Sequence, residues 1–405
     1  MKDDFIVFGS PQIADEEIDE VVRTLRSGWI GTGPRVARFE AGFREYIGAS
    51  HAVALNSCTA ALHVSMLVAG LSQGEEVLTT PLTFVATANA IIHAGGLPRF
   101  IDVDRSTQTI DPAAVRRFLE NECERIDGTT VNRRSGRAVR ALLPVHFAGR
   151  PCAMDELEAL AREYDLLLIE DAAHAIEAEY RGRKIGTIGD LTCFSFYVTK
   201  NMTTGEGGMV TTRDERLAAA IKTLSLHGLS QDAWKRYSDQ GFKHYEVTVP
   251  GFKYNMMDLQ AAIGLHQLAR IEANWRRRAE IWNRYDAAFC DLPVTLPAPP
   301  EPDTRHALHL YTVLVDRERA GIDRDDLQQR LFEAGVGSGV HYVAVHLHAY
   351  YRDAMRLQRG DFPNAEFISD RTLSLPLSAK LTDADVERVM RTVRRALGAA
   401  PGGPG

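Results

Sequence analysis

The sequence predicts an α/β chain, with a mostly parallel central sheet followed by a smaller C-terminal α+β domain. Three observations carry this. Between residues 52 and 212, short apolar runs alternate with helix-period segments, the pattern of parallel strands covered on both faces. The alternation ends near residue 250. Pro293, Pro297, Pro299, Pro300 and Pro302 then mark a linker before a second, shorter set of elements.

Residues 52–55 read as a strand, 56–59 as a turn and 60–70 as a helix closed by glycine. Strands at 76–79 and 98–103 flank a helix at 84–94. The polar, arginine-bearing stretch 121–140 reads as a surface loop or a hairpin, a loop reaching a neighbouring subunit or substrate rim being the alternative. Strands at 139–144 and 166–169 enclose a helix at 154–164, and strands at 191–196 and 209–212 complete the sheet. Residues 258–285 read as one long helix. Beyond the prolines come a strand at 309–315, a helix at 324–334, a glycine-rich turn and a helix at 383–397. The expected division is a large α/β domain with an N-terminal arm (1–255), a linking helix (256–292), a small domain (293–398) and a frayed Pro/Gly-rich tail (399–405).

Composition narrows the function. With 45% hydrophobic and 25% charged residues, the 405-residue chain is globular rather than disordered or collagenous. A net charge of −7 argues against a non-specific nucleic-acid binder. Cys58, Cys123, Cys152, Cys193 and Cys290 show no zinc or redox spacing, as expected of free thiols in a reducing cytoplasm. The polar start is unlike a signal peptide, and no apolar run approaches a membrane span. A soluble, cytoplasmic protein without membrane partners is expected. His341, His346 and His348 lack a carboxylate that would complete a ligand pattern, so no metal is expected. Arg276, Arg277 and Arg278 spread around a helix and read as a solvated face, a diphosphate contact being the alternative.

The most informative stretch runs from residue 166 to 208. An apolar strand leads directly into Asp171, at the edge where open α/β sheets bind ligands. A second strand, through Ser195, leads to Lys200, and a glycine-rich run follows. Pyridoxal 5′-phosphate (PLP) chemistry uses such a pair: an amine to form a Schiff base, and a carboxylate to keep the pyridine nitrogen protonated. Thr59 and Ala60, opening a helix, offer amides and a hydroxyl to a phosphate, and Ser195 offers another hydroxyl. An aspartate after a strand also serves as a cap or turn residue, and a loop lysine as a solvated charge. Spacing alone leaves both readings open.

Several segments together resemble the DegT/StrS-type sugar aminotransferases, PLP enzymes of fold type I. They are Ser27-Gly28-Trp29-Ile30-Gly31-Thr32-Gly33-Pro34, Asn56-Ser57-Cys58-Thr59-Ala60-Ala61-Leu62, Thr83-Phe84-Val85-Ala86-Thr87-Ala88-Asn89-Ala90, Pro144-Val145-His146-Phe147-Ala148-Gly149, Ile169-Glu170-Asp171-Ala172-Ala173-His174-Ala175, and Phe194-Ser195-Phe196 through Thr199-Lys200-Asn201 to Glu206-Gly207-Gly208. The resemblance implies that Lys200 is the Schiff-base lysine and Asp171 the partner of the pyridine nitrogen. Phe84 falls where a ring stacks on the pyridine, although alone it reads as a core phenylalanine. His174 falls beside the ring hydroxyl, and Thr59, Ala60 and Ser195 in the phosphate cup. Lys253 and Asn255 lie in a loop that reaches the neighbour's cofactor phosphate, which implies a homodimer with shared sites. The commoner family pattern has Asn and Arg at these two positions. Thr32, His341 and Tyr342 are implied in the substrate pocket. The Gly251-Phe252-Lys253-Tyr254-Asn255 variant is similar to the branch holding UDP-4-amino-4-deoxy-L-arabinose–oxoglutarate aminotransferase. The implied reaction is amination of a UDP- or dTDP-linked 4-keto sugar, with L-glutamate as donor and 2-oxoglutarate released. A cyclitol (inosose) or 3-keto sugar nucleotide aminotransferase is the alternative.

Overall fold

The computed structural model describes residues 4–229 and 246–398, so the tail expected to fray lies outside the described residues. Helices α1 (Asp15–Ser27) and α2 (Pro34–Ile47) precede strand β1 (His51–Leu55) and helix α3 (Cys58–Val68). Then come β2 (Glu76–Thr79), α4 (Val85–His93), β3 (Leu97–Phe100), α5 (Pro112–Glu122), β4 (Cys123–Ile126), β5 (Thr129–Asn132) and β6 (Arg137–Leu143). Helix α6 (Met154–Glu163) leads to β7 (Leu167–Asp171), a short hairpin of β8 (Glu179–Tyr180) and β9 (Arg183–Lys184), then β10 (Leu191–Ser195), β11 (Gly208–Thr212) and α7 (Glu215–Ser225).

The central sheet has the order β1-β11-β10-β7-β6-β2-β3. Only β11 runs against its neighbours along this path; the remaining pairs are parallel. The mostly parallel sheet that the alternation predicts is therefore present. In register, Cys193 of β10 lies beside Asp171 of β7. Two adjacent strands thus finish at one edge, which is where a parallel sheet offers its ligand crevice.

Helices cover both faces. On one face Phe43 of α2 meets Phe194 and Phe196 edge-on and Phe39 meets Phe196, with ring centroids 5.1–5.4 Å apart, and all four are fully buried. Edge-to-face geometry adds to the burial of large apolar rings. Phe43→Ala should cost about 3–5 kcal/mol. An urea midpoint that drops without a change in slope would show it; an unchanged midpoint would contradict this packing.

Of the two forms expected for 121–140, loop or hairpin, the structure has the hairpin: β4 and β5 pair antiparallel, and β5 continues onto β6. Asp127 and Gly128, at φ 47° and 83°, supply the left-handed pair that two-residue hairpin turns require. Buried Glu76 pins the hairpin to β2, accepting from Asn132 Nδ2 and Ser135 Oγ, both at 2.8 Å. The single helix expected at 258–285 is two, α8 (Asp258–Ala269) and α9 (Ile271–Phe289). The break falls at Arg270, which leaves helical geometry at φ −109°, ψ 9° and pairs its guanidinium with Glu17 of α1. No glycine or proline marks this break, so periodicity runs straight through it.

The C-terminal elements are β12 (Val294–Thr295), β13 (Tyr311–Val315), α10 (Arg317–Ala320), α11 (Arg324–Glu333), α12 (Ala349–Met355), α13 (Pro363–Ser369), β14 (Thr372–Leu375) and α14 (Asp383–Ala396). Strands β12-β13-β14 form a second, antiparallel sheet with its own apolar core, which also takes in Ile6 from the N-terminal arm. The proline linker is strapped down. Arg150, 5% exposed, donates to Ala298 O and Pro299 O at 2.8 Å and pairs with Glu301.

Candidate active site

Asp171 closes β7 and is buried, and its carboxylate is held from two sides. Thr87 Oγ1 donates to Oδ2 at 2.8 Å, and the Ala173 amide donates to Oδ1 at 3.1 Å. Thr83, one turn earlier on the chain, braces Thr87 at 2.7 Å. Burial pushes the Asp171 carboxyl up from its ordinary range, while these donors and Lys200 favour the ionised form. Lys200 lies in the segment leaving β10, its amide bonded to Tyr197 O at 2.9 Å. Burial brings its amine down from 10.5 to about 8, against the opposing pull of Cys58 and Asp171. An amine that titrates there has a substantial neutral fraction at working pH, as a nucleophile requires.

Both groups face one cleft of about 520 Å³, which Thr59, Phe84, His174, Ser195, His341 and Tyr342 also line. Phe84 caps the start of α4 and leaves 58% of its surface exposed in the cleft, 6.0 Å from the Tyr342 ring. A core phenylalanine would be covered, so this ring presents a free face. At the opposite side α3 begins. Ser57 Oγ accepts from the Ala60 amide at 3.1 Å, which engages that amide and sets Thr59 in the open first turn. Ala60 itself is buried and does not line the cleft. Gly208 allows this arrangement: a Cβ there would stand 2.4 Å from Ser57 O.

His174 Nδ1 accepts from the Ala148 amide at 3.2 Å, and Tyr342 Oη lies 3.2 Å from Nε2. Burial and Lys200 hold His174 well below its ordinary value, so it is neutral. His341 bonds Ser374 Oγ at 2.8 Å and is lowered to about 4 by burial and Lys200. His346 instead pairs with Glu366, and among the described residues no His, Cys, Asp and Glu cluster could hold a metal.

Thr32, Lys253 and Asn255 do not line this chain's cleft. Asn255 Nδ2 donates to Thr32 Oγ1 at 2.6 Å, and Asn255 Oδ1 is buried without a partner among the described residues. Phe252 and Tyr254 stack at 4.9 Å, and His63 meets both rings edge-on. Lys253, between them, is exposed.

Thr83, Thr87, Cys58 and His309 also line the cleft and were not singled out from the sequence. Thr87 follows Phe84 at helical spacing, so the helix period could have pointed to it. Nothing local marks His309.

A nucleophilic amine, a fixed carboxylate across the cleft, an aromatic face and a helix N-terminus for an anion match PLP in chemistry and place. The fold and site therefore define a PLP-dependent aminotransferase. The chain belongs to the DegT/DnrJ/EryC1/StrS aminotransferase family, whose sequence profile matches residues 11–394. It is 47% identical over 391 residues to the spore coat polysaccharide biosynthesis protein SpsC of Bacillus subtilis, covering 96% of each chain. It superposes on the PLP form of the putative sugar aminotransferase Spr1654 of Streptococcus pneumoniae with a TM-score of 0.85, at 30% identity and covering 97% of this chain and 98% of that one. DesI, solved in the presence of its TDP-sugar product, matches with a TM-score of 0.83 at 30% identity, covering 98% and 93%. The enzyme is a sugar aminotransferase that uses PLP. Among the described residues no helix is long and apolar enough to cross a membrane.

The lowered Lys200 amine predicts how the apo-protein takes up its cofactor. Uptake should quicken roughly tenfold per pH unit below about 8 and level off above it. A rate that climbs unchanged through pH 10, followed by the growth of cofactor absorbance, would mean an ordinary lysine.

Proposed function

We propose that the enzyme transfers an amino group from L-glutamate to carbon 4 of a nucleotide-linked 4-keto sugar. The observation that carries this is the likeness to DesI, whose structure was solved with a TDP-linked sugar, joined to a cleft that runs from Lys200 to the His341–Tyr342 wall. PLP, when bound, supplies the aldehyde that takes the amine and a ring that withdraws electrons. Lys200 Nζ would hold the cofactor's aldehyde at rest and, as a free amine, would serve as the base and acid that moves the substrate's α-proton. Asp171 holds a proton on the ring nitrogen; at about 4 Å and an effective dielectric near 20 that pairing is worth roughly 4 kcal/mol. Phe84 covers one ring face. Thr59, Ser195 and the start of α3 bind the phosphate. His341 and Tyr342 meet the sugar after 2-oxoglutarate has left.

Two chains complete each site in this reading. The alternation along 252–255 turns Phe252 and Tyr254 inward and leaves Lys253 exposed, and Asn255 keeps an unused buried oxygen. The partner's Lys253 then acts as a point charge for the cofactor phosphate. A monomer that keeps full activity on dilution would overturn this part.

To test the substrate, the holoenzyme is charged with glutamate, the donor is removed, and candidate ketones are added singly. Amino-sugar product from one 4-keto nucleotide sugar is the expected result. Product only from an inosose or a 3-keto sugar nucleotide would overturn the assignment.

A further inference from the structure

Asn201, the residue after Lys200, is bonded in a way that leaves one orientation open to it. Its Nδ2 lies 2.9 Å from Ala307 O and 2.8 Å from Glu177 Oε2. A carbonyl oxygen only accepts, so this atom is the amide NH₂ and Asn201 Oδ1 faces the other way. There it meets His309 Nδ1 at 2.9 Å, which must therefore carry a proton and donate it. Glu177 is held in turn by Arg278, 3% exposed, so one of the three arginines expected on a solvated face is buried in this network instead.

His309 lies against His174, with ring centroids 4.3 Å apart and the ring planes tilted by 40°. The Ala148 amide can only donate, so His174 has its lone pair on Nδ1 and its proton on Nε2, which donates to Tyr342 Oη. The two neighbouring rings are thus opposite tautomers. Around His309 stand Lys200, His341, Arg278 and His306, and with its burial they keep it neutral. Lys200 faces Cys58 and Asp171. Lys200 Nζ makes no hydrogen bond among the described residues, and His309 lines the same cleft.

We propose that His309 is a positioning residue for the Lys200 amine: Asn201 fixes its imidazole with the lone pair on Nε2, and that lone pair receives Lys200 Nζ when the lysine side chain turns toward it from the unbonded position it holds here. The inference rests on Lys200 being the cofactor lysine. The loop that sets the lysine backbone also sets the tautomer of its acceptor, so an amine released from the cofactor has a lone pair to turn to.

Two measurements on the full chain test this. Imidazole ¹⁵N resonances of the apo-protein, with His309 assigned from a His309→Gln sample, should show the proton on Nδ1 and none on Nε2. A proton on Nε2, or on both nitrogens at neutral pH, overturns the proposal. The second is the pH midpoint of PLP uptake. His309→Phe keeps an aromatic ring against His174 but removes the acceptor, so the ammonium form loses a partner and the midpoint should fall by about one unit, a tenfold change in neutral amine. His309→Gln, which returns an acceptor near the Nε2 position, should restore it. An unchanged midpoint in folded His309→Phe overturns the proposal, because a purely structural role would move only thermal stability. If wild-type protein takes up no PLP at all, the cofactor reading itself fails, and the nitrogen spectrum still decides the tautomer.

Discussion

Lys200→Ala ends amino transfer while the fold persists. In the proposed mechanism the lysine has two tasks, holding the aldehyde and moving the proton, and the second alone is worth about 10²–10⁴-fold. Losing both should take single-turnover transfer from glutamate down by at least roughly 10³-fold. Stability should not suffer. Burial disfavours the charged amine, as its lowered titration shows, and alanine removes that penalty. The check is rapid mixing with glutamate beside a thermal melt. Transfer within about tenfold of wild type would remove Lys200 from the role.

Asp171→Asn is the second large effect, and it isolates charge from shape. Asparagine can keep its oxygen on the Ala173 amide and turn its NH₂ toward Thr87 Oγ1, which as a hydroxyl can accept, so the contacts at 3.1 and 2.8 Å have a near-isosteric replacement. It cannot hold a proton on the pyridine nitrogen. Losing roughly 4 kcal/mol of that pairing corresponds to about 10³-fold in rate. A second readout separates this from misfolding. Asp171 raises the Lys200 amine, so the variant's uptake of PLP should reach its plateau at lower pH than wild type. A variant that transfers amino groups within threefold of wild type would show that the carboxylate does not set the ring's protonation.

The parts legible in the sequence are those in which local pattern and tertiary role coincide. An apolar strand running into Asp171, and a second running toward Lys200, have one reading in a parallel sheet, and the register of Cys193 beside Asp171 follows from it. The hairpin at 123–132 carried a signal too, Asp127-Gly128, which decides between the loop and the hairpin that the polar composition leaves open. The division of α8 from α9 carried none. It depends on Arg270 reaching Glu17 and Gln12, far away in the chain, and a period of 3.6 cannot report a distant ion pair. The site shows the same split. Phe84 and His174 sit inside recognisable segments, whereas His309 enters the cleft from beyond the proline linker, through bonds of its neighbours to Gly149 and Ala148. Arg278 was misread because a run of three like charges looks solvated until one of them finds a buried carboxylate.

The strap of Arg150 over the proline linker bears on how the molecule comes apart when heated. Two cores joined by a loose tether would melt separately, each at its own temperature. Here the tether is fastened to the larger core by a buried guanidinium, and Ile6 from the chain's beginning is sealed into the smaller one. Releasing either core strips hydrogen bonds or apolar cover from the other. The enthalpy of melting should therefore arrive in one calorimetric peak, with the van't Hoff value matching the integrated heat.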